Sequence, residues 1–194
     1  EEEPYAIGRR FYGWIMENLE FTPSGATEWD ALSIRDVRQG NCDQFSTLFV
    51  ALCRSLGIPA RTVANTYAWG GRHVFAEIIV PGHGWVPVDP TLGQMMTAGR
   101  GGLSEAEVEA TLGERNVPLG DAGWTYGNMF GNRTIISLGK NIKFRSPTLD
   151  REISLQRMAP GGIDAHPSGF RIDGYNKEIV HGGFYVFGED MTEE

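Results

Sequence analysis

Apolar positions recur at three- and four-residue intervals through Phe45, Leu48, Phe49, Leu52, Cys53 and Leu56. That spacing is the buried stripe of an amphipathic α-helix. The stretch that carries it, GNCDQFSTLFVALCRSLGIPAR, reaches Gly57, a C-terminal stop, with Pro59 just beyond to prevent continuation. Cys42 precedes Phe49 by seven residues, so at about 100° per residue it lies on the same stripe, on the first turn. A thiol there feels the positive end of the helix dipole, which favours thiolate. The position suits a nucleophile, provided another segment supplies a base.

The pattern elsewhere predicts a first helix over Tyr5–Leu19, with Ile7, Phe11, Trp14 and Ile15 on one face. FTPSGATEWDALS reads as a connecting loop. After the cysteine helix, ARTVANTYAW is a strand that GGRH interrupts. HVFAEIIV and GWVPVDP are short, apolar and rich in β-branched or aromatic residues, and PGHG between them signals a hairpin. SEAEVEATLGERN is a helix opened by a Ser104/Glu107 capping box. NRTIISLG, NIKF and GGFYVFG are further strands, and Met158 to Gly174 is rich in Gly, Pro and Asp. Helices lead and antiparallel strands follow, which predicts one α+β domain over residues 1–194.

With 194 residues, 41% hydrophobic and 22% charged, the chain can bury one substantial core. Seventeen basic against 25 acidic residues leave a net charge of -8, which argues against nucleic acid or an anionic membrane as the main partner. No apolar run approaches the roughly 18–20 residues of a membrane span. The chain opens Glu-Glu-Glu-Pro without a signal-peptide pattern. A processed chain or an excised domain is therefore expected, and the N-terminus does not set the compartment. Cys42 and Cys53 are the two cysteines. On one helix they stand roughly 16 Å apart along the axis, whereas a disulfide needs Cα atoms within about 7 Å. Both should be free, Cys53 as part of the core. Neither Cys-x2-Cys nor H-E-x-x-H spacing occurs, and no Walker pattern does, so no metal and no cofactor is expected.

The candidates for a base and its orienting partner are His73, on one hairpin strand, and Asp89, at the end of the other. Register decides whether they meet. With residues 81–83 as a three-residue loop, Val80 pairs with Gly84, Phe75 faces Asp89 and His73 faces Thr91. His73 and Asp89 then share a sheet face as diagonal neighbours, about 5–8 Å apart at Cβ. A four-residue loop would put them on opposite faces. His83 belongs to the turn itself, and Glu77 on the His73 strand is expected to pair with an arginine.

Together, GNCDQFSTLFVALCRSLGIPARTV and RHVFAEIIVPGHGWVPVDPT resemble the transglutaminase-like superfamily of prokaryotic thiol enzymes. The family pattern is a Gly-x-Cys helix start, a Gly-Ile-Pro-Ala-Arg exit, a His-x-aromatic-x-Glu strand and a Trp-x-x-x-Asp-Pro strand. All four occur here in order, closely over Gly40 to Gly93 and more loosely from Tyr5 to about Lys143. Phe75 stands where the family often carries Trp, and residues 144–194 form an extension of unassigned role. The resemblance implies a papain-like fold with the Cys helix packed on an antiparallel sheet. It also implies Cys42 as nucleophile, His73 as base and Asp89 as its partner. The Cys42 backbone N–H is a natural oxyanion donor at the helix start, with Trp29 and Tyr12 as candidates for a second.

The reaction class this implies is thiol acyl transfer on peptide or protein amides through a cysteine thioester. Hydrolysis, deamidation and crosslinking to an amine share that intermediate, so all three stay open. The alternative is a non-catalytic module that holds a peptide in a degenerate cleft.

Overall fold

The computed structural model describes residues 3–23, 25–26, 30–67, 72–97, 120–131, 133–139, 142–146 and 151–155. Helix α1 (Pro4–Asn18), strand β1 (Glu20–Phe21), helix α2 (Ala31–Val37) and strand β2 (Gln39–Gly40) come first. The cysteine helix α3 (Cys42–Ser55) leads into β3 (Ala60–Tyr67), β4 (Arg72–Val80), β5 (Gly84–Val88) and helix α4 (Pro90–Met95). Strands β6 (Arg133–Leu138), β7 (Ile142–Ser146) and β8 (Arg151–Leu155) follow. β5-β4-β3-β6 form an antiparallel sheet, while β1-β2 and β7-β8 are separate pairs. This is the expected α+β architecture. The helix expected over residues 104–116, the strand GGFYVFG and the stretch Met158 to Gly174 lie outside the described residues.

Helix α3 begins where its sequence can satisfy the free N–H groups of a first turn. Asn41 is the N-cap, and its side chain accepts from the N–H groups of Asp43 and Gln44. The Gln44 side chain returns the bond to the Asn41 N–H at 2.9 Å, closing a capping box. The other end is a Schellman motif: Ile58 N–H reaches the Cys53 carbonyl and Gly57 N–H the Arg54 carbonyl, both at 3.0 Å. Gly57 adopts φ +76°, a left-handed conformation that suits glycine. Leu56 is not part of the buried stripe as expected. It is the C-cap, where the helical period ends, and is 60% exposed.

Phe45, Leu48, Phe49 and Cys53 bury against Ile15 of α1 and its C-cap Leu19, Ile34 of α2, and Ala60, Ala76, Ile78 and Val88 of the sheet. Truncating Phe45 or Phe49, both fully buried, to Ala would cost about 3–5 kcal/mol. That packing holds the cysteine helix on the sheet. The segment read as a loop up to Ser33 instead enters α2 at Ala31, capped by Asp30, whose carboxylate accepts from Leu32 and Ser33 N–H. Of the residues of α2 only Ile34 is buried, so the helix carries almost no apolar periodicity.

The hairpin has the three-residue loop. Val80 pairs with Gly84 and Ala76 with Val88. His83 N–H closes on the Val80 carbonyl at 3.0 Å, and Gly82 takes φ +79°. Pro81 followed by a left-handed Gly82 is a type II turn. The expected ladder does not continue to a His73–Thr91 pair, however. β5 stops at Val88, because Pro90 has no N–H to donate and instead occupies the first turn of α4. Asp89 becomes the N-cap of that helix and Thr91 is buried within it.

Candidate active site

Three elements deliver the site. The Ser46 hydroxyl, one turn into α3, lies 2.7 Å from the Cys42 carbonyl and 3.1 Å from the Val74 carbonyl. That contact seats the first turn of α3 on β4 beside His73. Cys42 itself is half-buried, and its thiol is near enough to the His73 ring to favour the protonated imidazole. Cys53, eleven residues later, lies deep in the core, where burial pushes its thiol up to about 12. Both cysteines are free thiols.

His73 and Asp89 meet through His73 Nε2 and Asp89 Oδ2 at 2.7 Å, with side chains only 7% and 3% exposed. This leaves Nδ1 as the ring nitrogen available to the thiol. The other oxygen, Asp89 Oδ1, accepts from the Leu92 N–H at 3.0 Å. Thr125 clamps the Asp89 backbone from both sides: its carbonyl accepts the Asp89 N–H at 3.0 Å, and its hydroxyl donates to the Asp89 carbonyl at 2.8 Å. Asn65, opposite His73 on β3, donates to the His73 carbonyl at 3.0 Å. The Tyr67 ring stacks on the imidazole at 5.9 Å between centroids.

Burial alone would strip His73 of its proton, but the Asp89 charge, Tyr67 and hydrogen bonds to Asp89 and Cys42 outweigh it. The result is an imidazole held well above its ordinary 6.5. Burial pushes Asp89 the other way as well, and the His73 charge and hydrogen bond, Arg133 and the Leu92 N–H overcome it. Its carboxyl is held below the ordinary 3.8. Both directions describe one arrangement, a buried imidazolium–carboxylate pair.

The remaining sequence candidates fall elsewhere. Tyr12 is no oxyanion donor. Its hydroxyl bonds to the Ala122 carbonyl and to Thr125 Oγ1, behind Asp89, and burial raises it to about 12. Trp29, His166 and His181 lie outside the described residues. His83 is exposed in the hairpin turn, 3.2 Å from the Pro81 carbonyl. Glu77 pairs with Arg61 at 2.7 Å, as expected. No described residue receives a hydrogen bond from the Cys42 N–H, which is left at the mouth of the first helical turn. Among the described residues no cluster of His, Cys, Asp and Glu could hold a metal ion, and no helix is long and apolar enough to cross a membrane.

Sequence reasoning passed over Arg133, at the start of β6 opposite Tyr67. Its side chain is 2% exposed, and Nη1 lies 3.6 Å from Asp89 Oδ2. In the sequence it is an ordinary basic residue before Thr-Ile-Ile, and only the β3–β6 pairing brings it to the site. The Asn41/Gln44 capping box was signalled locally by the Asn-x-x-Gln spacing.

Comparisons with known proteins follow the same geography. A family model described as the transglutaminase-like superfamily matches residues 1–90. An uncharacterized protein of Haemophilus influenzae is 26% identical, over 57% of this chain and 38% of its own length. The uncharacterized protein YebA of Bacillus subtilis is 29% identical, over 45% of this chain and 14% of its own. The chain thus spans well under half the length of the curated relatives it matches. A solved structure of a TGase superposes with a TM-score of 0.42 at 17% identity, covering 57% of this chain and 32% of that one. The matched span runs from α1 to Pro90, one residue past Asp89, so it contains the cysteine helix and the hairpin but not Arg133. Through that span, which is a little under half of its length, the chain is similar to the transglutaminase-like superfamily.

Proposed function

We propose that the chain is a thiol acyl-transfer enzyme acting on peptide or protein amides, with Cys42 as nucleophile, His73 as acid–base group and Asp89 as its orienting partner. The observation that carries this reading is the buried His73, bonded to Asp89 through Nε2 at 2.7 Å, with the Cys42 thiol close enough to favour ring protonation. A weak nucleophile, a base within reach and a third group fixing the base are what covalent catalysis requires. The carboxylate on Nε2 keeps that nitrogen protonated, so Nδ1 can exchange a proton with the thiol.

In the reaction, the Cys42 sulfur, its proton held by His73 Nδ1, attacks the amide carbonyl carbon. The carbonyl oxygen gains negative charge, and the Cys42 N–H donates to it. Collapse breaks the C–N bond as the imidazolium passes its proton to the departing amine. A thioester remains. Water or a second amine then attacks its carbonyl, His73 takes the incoming proton, and the C–S bond breaks to return the thiolate beside the protonated ring. Water gives peptide cleavage or deamidation, and an amine gives a crosslink.

A peptide library tests the proposal when products are read by mass spectrometry for cleavage, deamidation and incorporation of a labelled amine together. Products in at least one channel with the native chain, and in none with Cys42→Ala, are expected. Equal product from Cys42→Ala would refute the nucleophile. No product in any channel, together with tight peptide retention, would favour a non-catalytic peptide-holding module.

A further inference from the structure

We propose that Arg133 is a positioning residue that balances the buried charge of the Cys42–His73–Asp89 site and limits how tightly Asp89 retains the imidazolium proton. The inference rests on the catalytic reading above.

The guanidinium has little other reason to be where it is. Its side chain is 2% exposed, yet none of Nε, Nη1 and Nη2 has a hydrogen-bond partner. It packs over the rings of Tyr67 at 5.0 Å and Phe75 at 5.4 Å. Among the described residues, its ion-pair partner is Asp89, at 3.6 Å. An arginine that served only to brace a carboxylate would form a two-pronged bond at about 2.7–2.9 Å. Here both oxygens are already taken, Oδ2 by His73 at 2.7 Å and Oδ1 by the Leu92 N–H at 3.0 Å. Arg133 therefore acts on Asp89 through its charge. Leaving a buried guanidinium without hydrogen bonds costs free energy, and the aromatic faces offset only part of that cost.

The charge count gives the cation its role. Among the described residues, Cys42 from α3, His73 from β4, Asp89 at the start of α4 and Arg133 from β6 are the charged groups that meet here. Tyr67 from β3 lies against the imidazole, and Tyr12 from α1 lies behind Asp89. With thiolate, imidazolium and carboxylate alone, the buried site would carry one net negative charge. Arg133 brings it to neutral. When the S–C bond forms, the negative charge leaves the sulfur for the carbonyl oxygen, so beside the imidazole two cations face one carboxylate. That excess favours release of the His73 proton to the departing amine as the C–N bond breaks. Without Arg133, Asp89 would hold the proton more firmly and the same transfer would slow.

The test follows Cys42 alkylation by iodoacetamide across pH, with the His73 ring titration read by NMR in the same full-length chains. The upper step of the alkylation profile, present in the native chain and absent in His73→Ala, marks loss of the imidazolium proton. Arg133→Met fits the apolar slot between Tyr67 and Phe75 and should move that step upward by about one pH unit. Arg133→Lys keeps the charge and should return it most of the way. An unmoved step in a folded Arg133→Met chain, with the His73→Ala difference intact, overturns the role of Arg133 and leaves the catalytic reading standing. Native and His73→Ala profiles that coincide refute the catalytic reading itself. Arg133→Gln is a second neutral variant, checked like the first by thermal melting. If both neutral variants fail to fold, the residue is structural and the proposal is overturned.

Discussion

Replacing Asp89 by Asn isolates the part of the site that moves no atom of the substrate. Asn at an N-cap can still accept the Leu92 N–H that Asp89 Oδ1 now accepts at 3.0 Å, so α4 should keep its start. The change falls on the other atom. An amide NH2 in place of Oδ2 donates to His73 Nε2, which forces the ring proton onto Nδ1, the nitrogen that must receive the thiol proton. It also removes a unit charge 2.7 Å from the imidazole. At an effective dielectric of about 20 that attraction is worth about 6 kcal/mol before the relief of desolvation is subtracted. Tautomer reversal of this kind slows acyl transfer by about 10⁴-fold in a serine-protease triad, equivalent to about 5.4 kcal/mol of barrier. The tautomer effect sets the expectation, a loss of about 10³–10⁴-fold in single-turnover acylation. With the carboxylate gone, burial dominates His73, and the upper step of Cys42 alkylation should move to lower pH, opposite to Arg133→Met. Circular dichroism should be unchanged. A folded Asp89→Asn chain that acylates within about tenfold of the native rate would refute the assigned role of Asp89.

Iodoacetamide near neutral pH should label half-buried Cys42 quickly in the folded chain and fully buried Cys53 only after unfolding; preferential labelling of Cys53 would contradict the assignment. His73→Ala should abolish turnover, while His83→Ala, exposed in the hairpin turn, should leave the rate alone. Loss of activity in His83→Ala instead would move the base. Stability should also follow the buried pair. His73 is raised above 6.5, so its contribution is fully present below about pH 6.5 and lost as pH rises through the folded-state value. Asp89 is lowered below 3.8, so its contribution is present above about pH 3.8 and lost as pH falls through the folded-state value. Chemical denaturation across pH should therefore show a plateau between those limits that flattens in Asp89→Asn. An unchanged profile in the variant would mean that the pair contributes nothing to folding.

What could be read before the structure was what the chain encodes locally. The α3 stripe, its Gly57–Ile58–Pro59 exit and the Pro81–Gly82 turn each lie within a few residues, and periodicity and φ preferences suffice for them. The turn left the register open between a three- and a four-residue loop; the Val80–Gly84 pair selects the first, which gives His73 and Asp89 a shared location. The geometry that joins them is different from the expected diagonal pair. Pro90 ends the strand, and the carboxylate reaches the imidazole from a helix cap. α2 escaped notice because one buried residue makes no pattern. Arg133 escaped because its position depends on β6 returning to β3 across a long intervening segment, which no local signal encodes. Tyr12, a candidate for the second oxyanion donor, has its hydroxyl on Thr125, the support of Asp89, because the contacts of α1 are set by tertiary packing rather than by local pattern.

The most direct measurement of the central claim is to trap the acyl-enzyme. The native chain, mixed with a peptide amide substrate and quenched in acid, should gain the mass of the acyl group on the peptide that contains Cys42. Hydroxylamine should remove it, as it does a thioester. Asp89→Asn should accumulate the adduct far more slowly, and Cys42→Ala should gain no mass. Product formation without any adduct on Cys42, or turnover retained in Cys42→Ala, would contradict a Cys42 thioester.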